Sequence, residues 1–74
     1  MPRRRQPGEH FFSVYVDTIG EDGTLSTTPV YFGSSKFAAQ LALAQAITDN
    51  PHAHRVDLRM DMRLLVRVKI ERPG

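Results

Sequence analysis

The 74-residue chain contains no cysteine and no tryptophan. Without thiols it has neither disulfides nor thiolate-held metal, two supports that small domains use in place of a large core. It has no apolar run near the ~18 residues that a membrane-spanning helix requires. No apolar stretch of the signal-peptide kind follows the basic start Met1-Pro2-Arg3-Arg4-Arg5, so a cytoplasmic protein with no membrane contact is the expectation. A chain of this length makes one domain and buries only roughly 60% of its unfolded surface. A walled, lidded cleft is hard to build at that size.

Catalytic patterns are also missing. There is no His-Glu-x-x-His pair and no nucleophile elbow, and the acids of Gly20-Glu21-Asp22-Gly23 would repel a phosphate. Asp57 and Asp61 alternate with arginines and read as neutralised, not tuned for proton transfer. His52-Ala53-His54 spaces two imidazoles closely and His10 is a third, but a stable site needs three or four ligands. After Asn50-Pro51 these histidines read as polar loop residues. No catalytic residue, no metal site and no cofactor is expected, and the chain is not expected to be an enzyme.

What is present is an uneven charge layout. The net charge is only +2, yet residues 1–8 carry +3 through Arg3, Arg4 and Arg5. Residues 9–50 set Lys36 against Glu9, Asp17, Glu21, Asp22 and Asp49 for −4, and residues 51–74 return to +3. Such asymmetry bears on partner choice and association rate, not on fold.

Residues 1–8 hold two prolines, a glycine and no large apolar residue except Met1, and are expected to form a disordered basic tail. Residues 9–74 are expected to form one small α+β domain. In 11–19, Phe12, Val14 and Val16 alternate with Ser13, Tyr15 and Asp17, which predicts a strand with its even positions inward. Asp22-Gly23 then supplies a tight hairpin turn, and 24–32 returns as a second strand. Pro29 has no N–H for a ladder, so that strand is expected at an edge or bulged. One extra residue near Pro29 would bring Leu25 and Thr27 onto the same face as Val30 and Phe32.

Gly33-Ser34-Ser35 ends the strand and offers a helix cap. Residues 36–48 hold five of the chain's alanines with no glycine or proline, and Asp49-Asn50-Pro51 stops the helix. On a wheel Phe37, Leu41, Ala44 and Thr48 cluster and are expected to face the core. The opposite side is Ala38, Ala39, Ala42 and Ala46. It either supplies helix propensity on an exposed face or packs, through Ala39, Ala42 and Ala46, on a partner or a second copy.

In the last segment every even position from 56 to 70 is apolar, and the odd positions are charged except Leu65. One straight strand of that length would exceed 50 Å at roughly 3.3 Å per residue. The residues fit either one long, bent strand or a hairpin about Asp61-Met62-Arg63 whose odd loop keeps the apolar set together. The fold expectation is therefore an antiparallel sheet of three or four strands with one helix on its apolar face, ordered β-β-α-β-β or β-β-α-β. Phe12, Val14, Val16, Phe37, Leu41, Val56, Leu58, Val66 and Val68 make the expected core.

The odd positions Arg55, Arg59, Arg63 and Arg67, with Lys69, are the best functional lead, and Arg3, Arg4 and Arg5 are a second basic site. Solvated cross-strand Arg–Asp pairs are the plain structural account of them. An Asp-Gly hairpin, an alanine-rich helix over 33–48 and an Arg-studded end, all within 9–71, resemble in layout the small anti-CRISPR proteins of phages. The resemblance implies a non-enzymatic inhibitor that docks on a nucleic-acid-handling complex, and it carries no site residue across. The expected function is a protein-binding module, an inhibitor or adaptor of phage or mobile-element type. The alternative is a small basic nucleic-acid-binding module that uses the Arg-rich strand face. Self-association into a homodimer is a further expectation, because the helix is nearly uncharged.

Overall fold

The computed structural model of the chain describes residues 9–70; the tail expected over 1–8 lies outside them. The elements run β1 (Phe12–Ile19), β2 (Leu25–Gly33), α1 (Lys36–Asp49), β3 (Arg55–Met60) and β4 (Arg63–Lys69). The strands form one antiparallel sheet in the order β2-β1-β3-β4. This is the β-β-α-β-β arrangement, with a hairpin and not a long strand after the helix.

The first hairpin closes where the Gly20 N–H donates to the Thr24 carbonyl at 2.8 Å and the Gly23 N–H donates to the Gly20 carbonyl at 2.9 Å. Gly23 sits at φ 84°, a backbone shape that a side chain would strain. The loop is therefore a turn followed by a left-handed glycine, longer than a two-residue Asp-Gly turn. Beyond it, Val14 opposes Tyr31 while Tyr15 opposes Pro29, so Val30 is an extra residue. The proline lies on an edge strand beside a bulge, where a missing N–H costs least.

The second hairpin turns on Asp61 and Met62, since Met60 opposes Arg63. Asp61 takes φ 56°, a left-handed shape that aspartate tolerates better than most residues. Its N–H donates to the Phe11 carbonyl at 2.7 Å, and its carboxylate accepts the Phe11 N–H at 3.2 Å and lies 2.8 Å from His10 Nδ1. Asp61 is thus engaged by the start of β1. An even loop alone would turn the apolar set of β4 away from the core. A bulge repairs this: Leu58 opposes Val66 while Arg59 opposes Leu64, which leaves Leu65 over.

Phe12, Val14, Val16, Val56 and Leu58 are buried, as expected. The phase of the helix is not. Ala39 and Ala46 are buried against the sheet, with Leu43 and Ile47 packed beside them, while Phe37 is 70% and Leu41 57% exposed. The clustering on the wheel identified a stripe but not which stripe meets the sheet. Small alanines let α1 lie close to strands whose valines and leucine already fill the space. Among the described residues α1 packs across β1, β2 and β3 and does not reach β4. Val66 is therefore exposed and Val68 only half-buried.

Ser35 starts the helix, its Oγ accepting the Ala38 N–H at 3.1 Å. Ser35→Ala is expected to lower stability by about 1 kcal/mol in urea denaturation, because it orphans that donor. Ser35→Asp, which keeps an acceptor, is expected to retain most of it.

Candidate docking face

The side of the sheet away from α1 has no covering layer among the described residues. Pairing places four cross-strand rows there. Leu25 lies beside Ile19; Thr27, Asp17, Arg55 and Lys69 form the next row; Pro29, Tyr15, Asp57 and Arg67 form the third; Phe32, Ser13, Arg59 and Leu64 form the fourth.

The two carboxylates on this face are buried beneath neighbouring side chains. Asp57 is 1% exposed and accepts a two-pronged pair from Arg67, Nε to Oδ1 at 2.9 Å and a terminal nitrogen to Oδ2 at 3.1 Å. Planar guanidinium matches a carboxylate in this geometry, which lysine cannot reproduce. Asp17 accepts the Thr27 hydroxyl at 2.6 Å and Arg55 Nε at 2.5 Å. Burial pushes the Asp17 carboxyl up, but the Thr27 and Arg55 hydrogen bonds and the charges of Arg55 and Arg67 outweigh it, so the group lies below its ordinary range. Arg59 lies over the Tyr15 ring, 5.2 Å from its centroid, with a terminal nitrogen 3.9 Å from Asp57. Its Nε is shielded from solvent and has no hydrogen-bond partner; ring and carboxylate hold this side chain.

The face has an apolar end. Phe11 and Phe32 stack with ring centroids 5.5 Å apart and planes within 9°. Phe32 is 72% exposed, Leu64 is exposed across the sheet, and Met62 in the turn is 96% exposed.

Arg55, Arg59, Arg67 and Lys69 thus share one face, as their odd positions imply. Arg63 does not: it opposes Met60, on the helix side. The bulge at Leu65 exchanges the faces of everything between it and the turn, so alternation in the sequence misplaces Arg63 and Leu64. Ala39 and Ala46 are core residues and Ala42 is half-buried, so the alanine face meets the chain's own sheet and not a partner. Arg3, Arg4 and Arg5 lie outside the described residues. His54 is held by its backbone, donating to the Asp17 carbonyl at 2.8 Å and accepting from the Ile70 N–H at 3.1 Å. No group of three His, Asp or Glu side chains gathers among the described residues.

Sequence reasoning missed Phe11, Phe32, Leu64 and Met62 as a surface cluster. The signal was partly there: an extra residue near Pro29 puts Phe32 with Leu25 and Thr27. That shared face proves to be the helix-free one. No family model, curated protein or solved structure matches this chain.

Proposed function

We propose that the chain is a non-enzymatic protein-binding module, an inhibitor or adaptor of phage or mobile-element type that acts in the cytoplasm on a nucleic-acid-handling complex. The helix-free sheet face is its docking surface. One observation carries this reading: Asp17 and Asp57 are buried and held in ion pairs, so the face presents arginine and lysine around exposed Phe32, Leu64 and Met62. Aromatic residues, methionine and arginine together are the composition of protein interfaces. The layout resemblance to small phage inhibitors agrees with it. The nucleic-acid alternative draws on the same cations, but Arg55 and Arg67 are already engaged by carboxylates, which weakens them as phosphate ligands.

Phe32 and Lys69 are both exposed, so Phe32→Ser with Lys69→Glu is expected to leave the circular dichroism unchanged. The same variant is expected to weaken binding to a partner captured by the wild type at least tenfold, a typical loss for anchor residues. Wild-type affinity in this variant, with affinity lost on deleting residues 1–8, moves the site to Arg3, Arg4 and Arg5. A binding constant that falls steeply with salt and is insensitive to Phe32→Ser identifies nucleic acid instead.

A further inference from the structure

The outward side of α1 carries a second surface, opposite the docking face. Phe37, Leu41, Ala44 and Thr48 are all exposed along it, at steps of four, three and four residues. That spacing is the seam of a coiled coil. No other side chain between Lys36 and Asp49 is charged.

We propose that this seam pairs with a second copy of itself, helix against helix, antiparallel about a two-fold axis. Three features point to a copy of this chain as the occupant. First, the seam is self-complementary. Antiparallel alignment about its midpoint sets Phe37 against Thr48 of the partner subunit, and Leu41 against Ala44 of the partner subunit. Each layer joins one large and one small side chain, so knobs find room on the facing helix. Second, the end charges are placed badly for a lone helix. Lys36 stands in the first turn and Asp49 in the last, with no acid at the start and no base at the end to offset them. Each faces the like-signed pole of its own helix dipole. In the antiparallel pair the Lys36 end lies alongside the Asp49 end of the other copy, and the two dipoles oppose. Third, an uncharged seam brings no like-charge repulsion when it meets itself. The pairing is isologous and closes at two. It directs the two docking faces away from each other, so one dimer engages two partner sites at once.

Sedimentation equilibrium from low to high micromolar concentration tests the pairing. The wild type is expected to reach twice the chain mass of 8.4 kDa. Leu41→Lys is expected to stay at the chain mass with unchanged helical circular dichroism, because Leu41 is 57% exposed. Should that variant lose its fold, the charge pair decides. Lys36→Glu is expected to raise the melting temperature of the monomer, measured at a concentration too low for pairing, while weakening the dimer roughly 2–5-fold. Adding Asp49→Lys is expected to restore the dimer. A wild-type chain mass at every concentration overturns the proposal and leaves the seam to a different protein. A dimer that survives Leu41→Lys, or one that Lys36→Glu strengthens, overturns the helix seam. None of these readouts depends on the docking partner, so the two proposals fail separately.

Discussion

Leu58→Ala is expected to remove about 3 kcal/mol of folding stability, within the ~2–5 kcal/mol range for deleting a buried leucine side chain. Leu58 lies at the centre of the sheet, between Val14 on β1 and Val66 on β4, and is buried under α1. Its neighbours cannot close the gap. Val14 and Val56 are fully buried and already pinned by strand pairing on both sides. In a domain this small such a loss is a large fraction of the total, which for most domains is ~5–15 kcal/mol. Leu41→Ala makes the control. That residue stands on the outer side of α1 and is expected to cost under ~0.5 kcal/mol in the monomer, as surface changes do. Urea denaturation of both variants at a concentration that keeps the chain monomeric tests the helix phase directly. Equal losses would mean that α1 packs through Phe37 and Leu41 after all.

Arg55→Met is expected to cost about 3 kcal/mol at neutral pH, the low end for breaking a buried ion pair, since Arg55 is itself partly solvated. The substitution keeps the aliphatic bulk and removes the charge, leaving Asp17 buried with the Thr27 hydroxyl as its remaining close partner. The pH dependence follows from Asp17. Its native carboxyl lies below the ordinary value of 3.8, so the folded state binds its proton less readily than the unfolded chain does. That contribution is complete above the unfolded value and is lost as pH falls through the folded one. In Arg55→Met the group loses a hydrogen bond and a favourable charge while burial remains, so its titration moves up. The stability gap between variant and wild type is therefore widest near neutrality and shrinks below about pH 4. A gap that stays constant from neutral to acid pH would assign Arg55 a packing role through its stem and not an electrostatic one.

The sequence was legible wherever one local signal decided the outcome. Alternation in Phe12, Val14 and Val16 placed β1 and its inward face. Pro29 announced an edge or a bulge, and the strand has both; Ser35 marked the start of α1. What was not legible depends on counting residues across strands. In 55–70 the apolar residues keep even parity except at Leu65, and the strand breaks its register at that residue because an even turn had to be offset by an odd insertion. Leu65, the one apolar odd position, marked the insertion, but no residue in that stretch advertises the even turn. Asp61 takes the left-handed position that would ordinarily call for glycine. The phase of α1 was hidden for another reason. Its apolar residues lie nearly all round, so the cluster of Phe37, Leu41, Ala44 and Thr48 pointed to the wrong side, and only the depth available over the sheet selects Ala39 and Ala46. The candidate docking face inherits both difficulties. Its arginines were visible, but the buried state of Asp17 and Asp57 emerges only once three strands stand side by side.

Val30 and Leu65, the two extra residues, sit on the two outermost strands of the sheet. An unbroken outer strand is a template onto which any extended chain can add, rung by rung. Here the rungs on one side are interrupted at Val30 and lack a donor at Pro29. On the other they are interrupted at Leu65 and crowded by Arg63, Arg67 and Lys69. The lateral growth that leads to fibrils is blocked at both borders. Exposed apolar residues such as Phe32 and Leu41 on the broad surfaces then have no open ladder along which to propagate. For a chain with this many exposed large side chains, the shape of the margins is what opposes growth by strand addition.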